Sequence, residues 1–555
     1  MDKYSFLNAA HTAYFADMYE QYLQDPDSIE PTWKAFFQGY DFGSESYGAA
    51  GEIVEGVMTQ IPEQFQKEFQ VIKLIDGYRT RGHLFTKTNP VRDRRKYQPS
   101  LQIENFGLSL KDLTTVFNAG EVIGIGPQSL QVIIEHLEAI YCDAIGVEYM
   151  YIRKPDERQW IQEKLNKNDN HGSFSNQEKK HILKKLNDAV SFETFLHTKY
   201  VGQKRFSLEG NESLIPAVDA LIEKAAAYGV KEFVMGMAHR GRLSTLTNIF
   251  GKSASDIFSE FDGKDYEEEV FDGDVKYHLG WTSDRLTDNG NRINLSIAPN
   301  PSHLETVGAV VEGITRAKQD KLNPEDASKV LPIVVHGDAA IAGQGLVYEV
   351  VQMAQLDGYK TNGTIHIVVN NQIGFTTNYL DARSSTYCTD VAKVTLSPVL
   401  HVNADDVEAV VHSILFALDF RMQFKRDVFI DLLGYRKYGH NEGDEPRFTQ
   451  PKLYKAIASH NNPRNIYAQK LMDEGIIDSN YVSKLEQDYK ASLETELVSS
   501  RKEDKTVITP FMQEAWKFFP RANSHKMNET IDTTYPKNKL VTLAKIISSL
   551  PEDKN

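Results

Sequence analysis

Between about residue 196 and residue 450, short apolar runs alternate with amphipathic helical stretches along the chain. That alternation predicts a parallel α/β sheet. Five of the runs finish in polar residues, and they occupy 233–237, 293–297, 331–335, 365–369 and 428–433. Open parallel sheets bind ligands beyond the carboxyl ends of their strands, so these polar residues are candidates for a site. A loop residue or a helix cap explains any one run equally well, but five in series favour a site.

The segments on either side of this region carry different patterns. Residues 1–40 place aromatic side chains at helical spacing and predict a helical hairpin that docks on the body or binds a partner. Residues 41–60 are rich in Gly, Ser, Ala and Glu and predict a flexible linker. Residues 61–195 predict a helical domain, and residues 451–555 predict a connector of helices and loops. The α/β domain at 196–450 lies between these two.

Length and charge narrow the class of protein. The chain has 555 residues, which is too many for one core, so we expect two or three folded units. Forty-one per cent of the residues are hydrophobic and a quarter are charged, as in ordinary globular proteins. The net charge of −15 argues against a nucleic-acid-binding surface, although a local basic patch would escape this count.

Cysteine usage and the first residues bear on the compartment. The only cysteines are Cys142 and Cys388, which excludes a disulfide framework and a zinc site built on cysteines. The first residues show neither a signal-peptide apolar run nor an Arg-rich, acid-poor presequence. No stretch approaches the roughly 20 apolar residues that span a bilayer. We therefore expect a cytoplasmic protein.

The third and fourth apolar runs lead to a candidate metal site. Asp338 follows the third run, Asn371 follows the fourth, and a helix predicted at about 344–357, with Gly358 just beyond its end, lies between them. Such a crossover brings the two strand ends together, so Asp338 and Asn371 should converge. Carboxylate and amide oxygens suit Mg²⁺ or Ca²⁺, and a bound diphosphate with backbone carbonyls would complete the ligands. Neither a P-loop nor a G-x-G-x-x-G after a strand is present.

The residues around this pair resemble a known family. Gly337-Asp338-Ala339-Ala340, followed by Asn370-Asn371, resembles the thiamine diphosphate fingerprint, with Ala339 in place of its second glycine. Longer strings at 204–210, 237–243, 300–305, 336–340 and 438–442 are similar to the decarboxylating first component of 2-oxoglutarate dehydrogenase. The similarity runs through almost the whole chain.

The resemblance assigns roles to matching positions. It implies that Asp338, Asn371 and the carbonyl of Ile373 hold Mg²⁺ and that these three residues also bind the cofactor. It implies that thiamine diphosphate is further lined by Arg240, Ser302, Leu304, Ala339 and Ala340. Substrate binding is assigned to His239, His278, Arg240 and Ser302, and catalysis to His239, His278 and His440. For both His239 and His278, a purely structural role is the alternative.

The activity that the resemblance implies is thiamine diphosphate- and Mg²⁺-dependent oxidative decarboxylation of 2-oxoglutarate. The succinyl group would pass to lipoamide on a succinyltransferase component, in a tricarboxylic acid cycle complex that also contains dihydrolipoyl dehydrogenase. The expected fold is a diphosphate-binding α/β domain after a helical region, in a homodimer. We expect the second α/β domain, with the glutamate that activates the aminopyrimidine, to be missing from this chain, and therefore little activity from the chain alone.

Three other readings stay open at this point. The chain could be a non-catalytic fragment that binds the cofactor or docks partners. It could decarboxylate 2-oxoglutarate and release the aldehyde, or join it to another carbonyl compound. It could instead be a thiamine enzyme for pyruvate, although His239 and His278 argue for a dicarboxylate.

Overall fold

The computed structural model describes residues 19–26, 28–29, 33–34, 37, 63–92, 100–264, 274–506, 511–519 and 528–550. The linker predicted at 41–60 lies outside these residues. The chain forms two compact units, one from Met1–Gly82 with Gln98–Ala139 and the other from His83–Tyr97 with Ile140–Asn555. None of the described helices is both long enough and apolar enough to cross a membrane.

The larger unit is built on an eight-stranded sheet. Its strands are β1 (Ile145–Glu148), β2 (Glu232–Met237), β3 (Trp281–Leu286), β4 (Arg292–Ile297), β5 (Val330–Gly337), β6 (Ile365–Asn370), β7 (Val399–Asn403) and β8 (Val428–Leu433). They lie in the order β1-β7-β8-β6-β5-β2-β4-β3. The six strands from β7 to β4 are mutually parallel, and the edge strands β1 and β3 are antiparallel to their neighbours. The predicted α/β fold with a parallel sheet is therefore confirmed.

The five apolar runs are all strands of this sheet, namely β2, β4, β5, β6 and β8. Sequence patterning missed the other three strands. β3 is an edge strand with half-exposed polar residues, so it lacks a continuous apolar run. β1 has only four residues and lies inside the segment predicted to be helical. It is fixed by distant contacts, because His401 of β7 hydrogen-bonds Glu148 of β1 at 3.0 Å across 253 residues of sequence.

The described helices precede the sheet, connect its strands or follow it in the chain. They are α1 (Glu63–Arg81), α2 (Leu130–Tyr141), α3 (Pro155–Asn166), α4 (Asn176–Lys199), α5 (Leu214–Ala227), α6 (Arg242–Asn248), α7 (Ala254–Phe261), α8 (Thr306–Leu322), α9 (Asp338–Gly343), α10 (Gly345–Met353), α11 (Tyr379–Ala382), α12 (Val407–Phe424), α13 (Pro451–Ala458), α14 (Pro463–Asp473), α15 (Ser479–Lys502), α16 (Gln513–Trp516) and α17 (Lys537–Ser548). Short 3₁₀ helices occupy Gly82–Leu84, Ile103–Phe106, Leu110–Asp112, Asn118–Ile123, Lys167–Asn170, Ala327–Lys329, Cys388–Thr395 and Pro446–Phe448.

The crossover between β5 and β6 differs from its predicted form. Instead of one helix over 344–357, the chain makes α9 directly after β5 and α10 after a break at Gln344. α10 ends at Met353, so Gly358 does not terminate it. The predicted apolar face does pack inward, because Val347 and Val351 are buried against the sheet. The early start of α9 places Asp338 in its first turn, beside the end of β5.

The smaller unit contains the described part of the N-terminal aromatic segment. Tyr22 and Phe37 are buried with Ile29, and the ring of Trp33 meets that of Phe69 on α1 edge-on at 5.8 Å. Within this unit, therefore, Trp33 contacts α1, and docking of this segment on the main body or on a partner stays a prediction. The remaining aromatic positions of this segment lie outside the described residues.

Candidate functional site

A cleft of about 430 Å³ opens at the carboxyl ends of the central strands. The predicted site residues that line it are His239, Arg240, Ser302, Leu304, Asp338, Ala339, Ala340, Asn371, Ile373 and His440. His278 stands just behind this lining, with its Nε2 atom 3.3 Å from Oγ of Ser302. The structure thus brings all the predicted site residues to one place, although they come from widely separated parts of the chain.

One end of the cleft, here called the carboxylate end, contains Asp338 and Asn371. β5 and β6 pair in parallel with Gly337 opposite Val369, so the two chains leave the sheet side by side. The Asp338 side chain is 2 % exposed, and burial raises the pKa of its carboxyl to about 6. The charge of Arg383 and the backbone amides of Asp338 and Asn371 oppose that rise.

The carboxylate end fits a cation held together with an anionic ligand. No group of three His, Cys, Asp or Glu side chains within the described ranges could hold a metal ion by itself. Asp338 and Asn371 supply one carboxylate and one amide oxygen, a donor set that leaves most positions of a Mg²⁺ ion to other oxygens. Space is present for these, because a Cβ added at Gly337, which lines the cleft, would meet nothing within 4 Å. The residues therefore fit Mg²⁺ with a diphosphate.

Gly374 fixes the distance between the two loops of this end. A Cβ added there would lie 2.6 Å from the Cβ of Ala339, so no larger residue fits without moving the loop. The glycine allows the loop after β6, with Asn371 and Ile373, to approach the start of α9.

The other end, here called the histidine end, contains His239, His278 and His440. The ring of His239 lies 4.6 Å from that of Phe206 and 5.8 Å from that of His278. Its Nδ1 is buried and makes no hydrogen bond to any described residue. Burial, aided by His278, lowers the pKa of His239 to about 4, so the ring is neutral near pH 7. This end therefore offers a desolvated imidazole with an open hydrogen-bonding position.

His278 is oriented by an acid. Its Nδ1 lies 3.0 Å from Oδ1 of Asp274 and its Nε2 lies 3.3 Å from Oγ of Ser302. Because a carboxylate only accepts, Nδ1 carries the proton and Nε2 faces the hydroxyl. Ser302 is thereby linked to the imidazole, which is the arrangement needed for the two to act on one ligand.

Arg240 lines the cleft, but its guanidinium is already engaged. It donates to the backbone carbonyls of Ser207, at 3.0 Å, and His440, at 2.8 Å. Burial lowers the pKa of Arg240 to about 10, so it stays charged. Its contacts hold the loop of His440 against the 204–208 loop, a positioning part that the resemblance did not assign to it.

Glu442 organises the histidine end, and sequence reasoning gave it no role. Its carboxylate accepts hydrogen bonds from the backbone amides of Arg205, Phe206 and Ser207, at 2.8, 3.1 and 2.9 Å. Phe206 is held at a φ of +51°, a strained backbone conformation for a bulky residue. Its ring consequently packs between His239 and Tyr277. Both residues lie in strings that carried the resemblance, which was the available signal.

Comparisons with known proteins can now be set beside this geometry. A family model described as "Dehydrogenase E1 component" matches residues 184–508, which include every predicted site residue. The chain belongs to this family. A second model, described as "2-oxoglutarate dehydrogenase N-terminus", matches residues 4–44. The dehydrogenase E1 match therefore covers strands β2 to β8 and the cleft, and the other covers most of the aromatic segment.

Individual relatives extend the similarity over nearly all of the chain. A protein named "2-oxoglutarate dehydrogenase E1 component" from Azotobacter vinelandii is 42 % identical over 92 % of this chain and 57 % of its own length. One of the same name from Cupriavidus necator is 42 % identical over 99 % of this chain and 59 % of its own. A "Multifunctional 2-oxoglutarate metabolism enzyme" from Mycolicibacterium vanbaalenii is 47 % identical over 80 % of this chain and 36 % of its own. The chain spans less than two thirds of these relatives' lengths.

Proposed function

We propose that this chain supplies the diphosphate-binding half of a thiamine diphosphate- and Mg²⁺-dependent enzyme that decarboxylates 2-oxoglutarate. The observation that carries the proposal is the single cleft in which Asp338 and Asn371 converge beside His239 and His278. The carboxylate end would bind the metal and the diphosphate of the cofactor, and the neighbouring histidine end would bind a dicarboxylate substrate. Membership of the dehydrogenase E1 family, and relatives named for 2-oxoglutarate, support the same assignment.

At the carboxylate end, Asp338 and Asn371 would hold Mg²⁺ with the carbonyl of Ile373, and the cation would hold the diphosphate. Leu304, Ala339 and Ala340 would line the cofactor between the two ends. Bound there, thiamine diphosphate would supply the nucleophilic carbon and the electron sink that decarboxylation requires.

At the histidine end, the residues would bind and orient the substrate. A neutral His239 desolvates at little cost and can receive a proton when a carboxylate arrives, because the anion stabilises the imidazolium. His278, fixed by Asp274, presents Nε2 with the Ser302 hydroxyl to a second carboxylate oxygen. His440 lies 4.7 Å from the ring of Phe375 at the boundary of the two ends, where it could hold or move a proton near the reacting atoms.

The wider setting belongs to the same proposal. The product acyl group would pass as succinyl to lipoamide on a succinyltransferase component, with dihydrolipoyl dehydrogenase closing the oxidative sequence. The enzyme would act as a homodimer in the cytoplasm and serve the tricarboxylic acid cycle. The relatives' names support 2-oxoglutarate as the substrate in this setting.

Calorimetry tests the proposal directly. Thiamine diphosphate should bind the chain only when Mg²⁺ is present, and 2-oxoglutarate should bind the loaded chain more tightly than pyruvate. The second comparison isolates the distal carboxylate, because both compounds carry the same 2-oxo acid group. Equal binding of the two acids would contradict the dicarboxylate assignment, and magnesium-independent cofactor binding would contradict the carboxylate end.

A further inference from the structure

A second cavity, of about 480 Å³, lies between α8 and α10 and shares no lining residue with the cleft. Its volume falls in the range of small-molecule pockets. The walls are largely apolar and include Ala309, Ala317, Val350, Val351 and Met353. Polar groups gather at the inner end, where Glu312, His366 and Asp427 line the space. A ligand here would therefore need an apolar body and one polar end.

His366 turns an unpaired acceptor towards this space. The residue is 3 % exposed, and its Nδ1 lies 3.0 Å from Nε2 of His336, whose own Nδ1 lies 2.5 Å from a Glu305 carboxylate oxygen. With one proton on each ring and the Nδ1–H of His336 donating to Glu305, Nε2 of His336 accepts and Nδ1 of His366 donates to it. The Nε2 of His366 then carries only a lone pair, and it makes no hydrogen bond within the described part of the chain.

One carboxylate lies near this nitrogen, and a second lines the same space. An Asp427 oxygen lies 3.7 Å from Nε2 of His366, too far for a hydrogen bond. The Glu312 carboxylate accepts from the hydroxyls of Thr361 and Thr364, each at 2.7 Å. Among the described residues, neither acid forms an ion pair with a lysine or arginine. The inner end of the cavity therefore presents acceptors and negative charge.

The nearby arginines do not supply the missing cation. Arg316, at the mouth, is bound by the carboxylate of Asp320 at 3.0 Å and donates to the carbonyls of Asp357 and Lys360. Arg421 lowers the pKa of Glu312 through space, but it donates to the carbonyls of Gly363 and Val330. The negative charge of Glu312 and Asp427 is thus not fully neutralised by the arginines nearby.

We propose that this second cavity is a binding site for a small organic ammonium ion. The ammonium group would donate to Nε2 of His366 and to the carboxylates of Asp427 and Glu312, while its apolar body fills the space between α8 and α10. An ammonium has three donors and no acceptor, which matches an end that has acceptors and no free donor. The lone pair of His366 would be satisfied in the same step.

A matched set of probes tests the ligand chemistry on the intact chain. We expect 2-phenylethylammonium to bind at least about tenfold more tightly than 2-phenylethanol, because charge-assisted contacts are stronger than neutral ones. We expect 3-phenylpropanoate not to bind the cavity, because its charge has the same sign as the two carboxylates. Chemical shifts of methyl groups in Val350 and Val351 would report occupancy of the cavity. Saturating the cleft with thiamine diphosphate and Mg²⁺ should leave the ammonium affinity unchanged.

Substitutions of the two carboxylates test whether they contact the ammonium group. Asp427→Asn keeps an acceptor for the Thr364 amide, and Glu312→Gln keeps one acceptor and can donate to the other threonine hydroxyl oxygen, so both variants should fold, and each should weaken ammonium binding about tenfold. Asp357→Asn, whose side chain is 96 % exposed outside the cavity, is the matched control and should bind like the parent. Thermal unfolding confirms that the variants compared are folded.

The pH dependence gives an independent readout. Burial, together with Asp427, raises the pKa of Glu312 to about 7, against the opposing charge of Arg421. His366, Arg316 and Asp320 also face this space. A bound cation favours the ionised form of Glu312, so the affinity for the ammonium ion should rise between about pH 6 and pH 8. At the lower pH values, binding should release a proton from Glu312. The Glu312→Gln variant should show a weaker dependence of affinity on pH.

Four results would overturn the proposal. They are absence of ammonium binding at millimolar concentration, equal binding of the alcohol, equal loss in Asp357→Asn and Asp427→Asn, and displacement of the ammonium by thiamine diphosphate. Displacement by thiamine diphosphate would show that the ammonium probe binds in the cleft, and it would leave the function proposed for the cleft unaffected.

Discussion

The two ends of the cleft are built in opposite ways. The carboxylate end rests on two adjacent parallel strands, so Asp338 and Asn371 are placed by main-chain pairing that needs few other contacts. The histidine end is assembled from loops, and side chains such as Glu442 and Arg240 hold those loops by hydrogen bonds to main-chain atoms. Changes at the first end should therefore alter binding alone, whereas changes to the residues that hold the loops of the second end should alter stability.

Asp338→Ala should produce the largest change in binding. Removing one of only two side-chain ligands should weaken magnesium-dependent thiamine diphosphate binding by about 100-fold or more, since even groups behind metal ligands are worth about 10- to 100-fold. Calorimetry measures this, with exposed Asp357→Ala as control. A loss below about fivefold, or an equal loss in the control, would remove Asp338 from the metal site.

Glu442→Ala should mainly cost stability. Three buried backbone amides lose their acceptor, and we expect the free energy of unfolding to fall by about 3 kcal/mol. Thiamine diphosphate affinity should change less than about threefold, because the carboxylate end rests on other elements. Denaturant unfolding checks the first value, with exposed Glu445→Ala as the control. Unchanged stability would show that the loop is held in another way.

The protonation of His239 should appear in the pH dependence of dicarboxylate binding. In the empty cleft its pKa is about 4, since burial and the charges of His278, Arg240 and His440 oppose the cation. A bound carboxylate raises that pKa, so affinity should grow as pH falls from about 7 to about 5, by at most about tenfold per pH unit. Calorimetry of succinate in buffers of different ionisation enthalpy would show the proton uptake. His239→Asn should abolish it, and unchanged uptake in that variant would assign the proton elsewhere.

Ser302→Ala should have the smallest effect. It removes one hydrogen bond of 3.3 Å to His278 in an exposed position, so dicarboxylate affinity should fall about threefold. Stability should stay within about 0.5 kcal/mol of the parent. A fall of more than tenfold would mean that the hydroxyl contacts the ligand far more strongly than this geometry indicates.

The same contrast explains what the sequence could predict. Asp338 and Asn371 follow apolar runs directly, so local patterning was enough to find them and to expect their convergence. Glu442 acts on residues more than 200 positions away, and no local pattern expresses that contact. Arg240 was found as a cleft residue, but its engagement by two carbonyls depends on loops whose course the sequence does not reveal.

For the fold, strands with continuous apolar character were predicted and the others were not. β3 is partly exposed along its whole length and contains Thr282, Ser283 and Asp284, so it resembles a loop in composition. The helix between β5 and β6 was predicted as one element because its apolar spacing is regular, whereas the chain breaks it at Gln344. Local periodicity gives no information on that break, which ends α9 and precedes α10.

The pairing of β1 with β7 has a consequence for biosynthesis. Glu148 leaves the ribosome long before His401, its partner 253 residues later in the chain. At about 5–20 residues per second, β1 waits about 12–50 s for its neighbour. Closing so long a loop is entropically costly, so this edge should be the last part of the sheet to form. Until then, the newborn chain carries an unpaired strand that a chaperone could shield from other nascent chains.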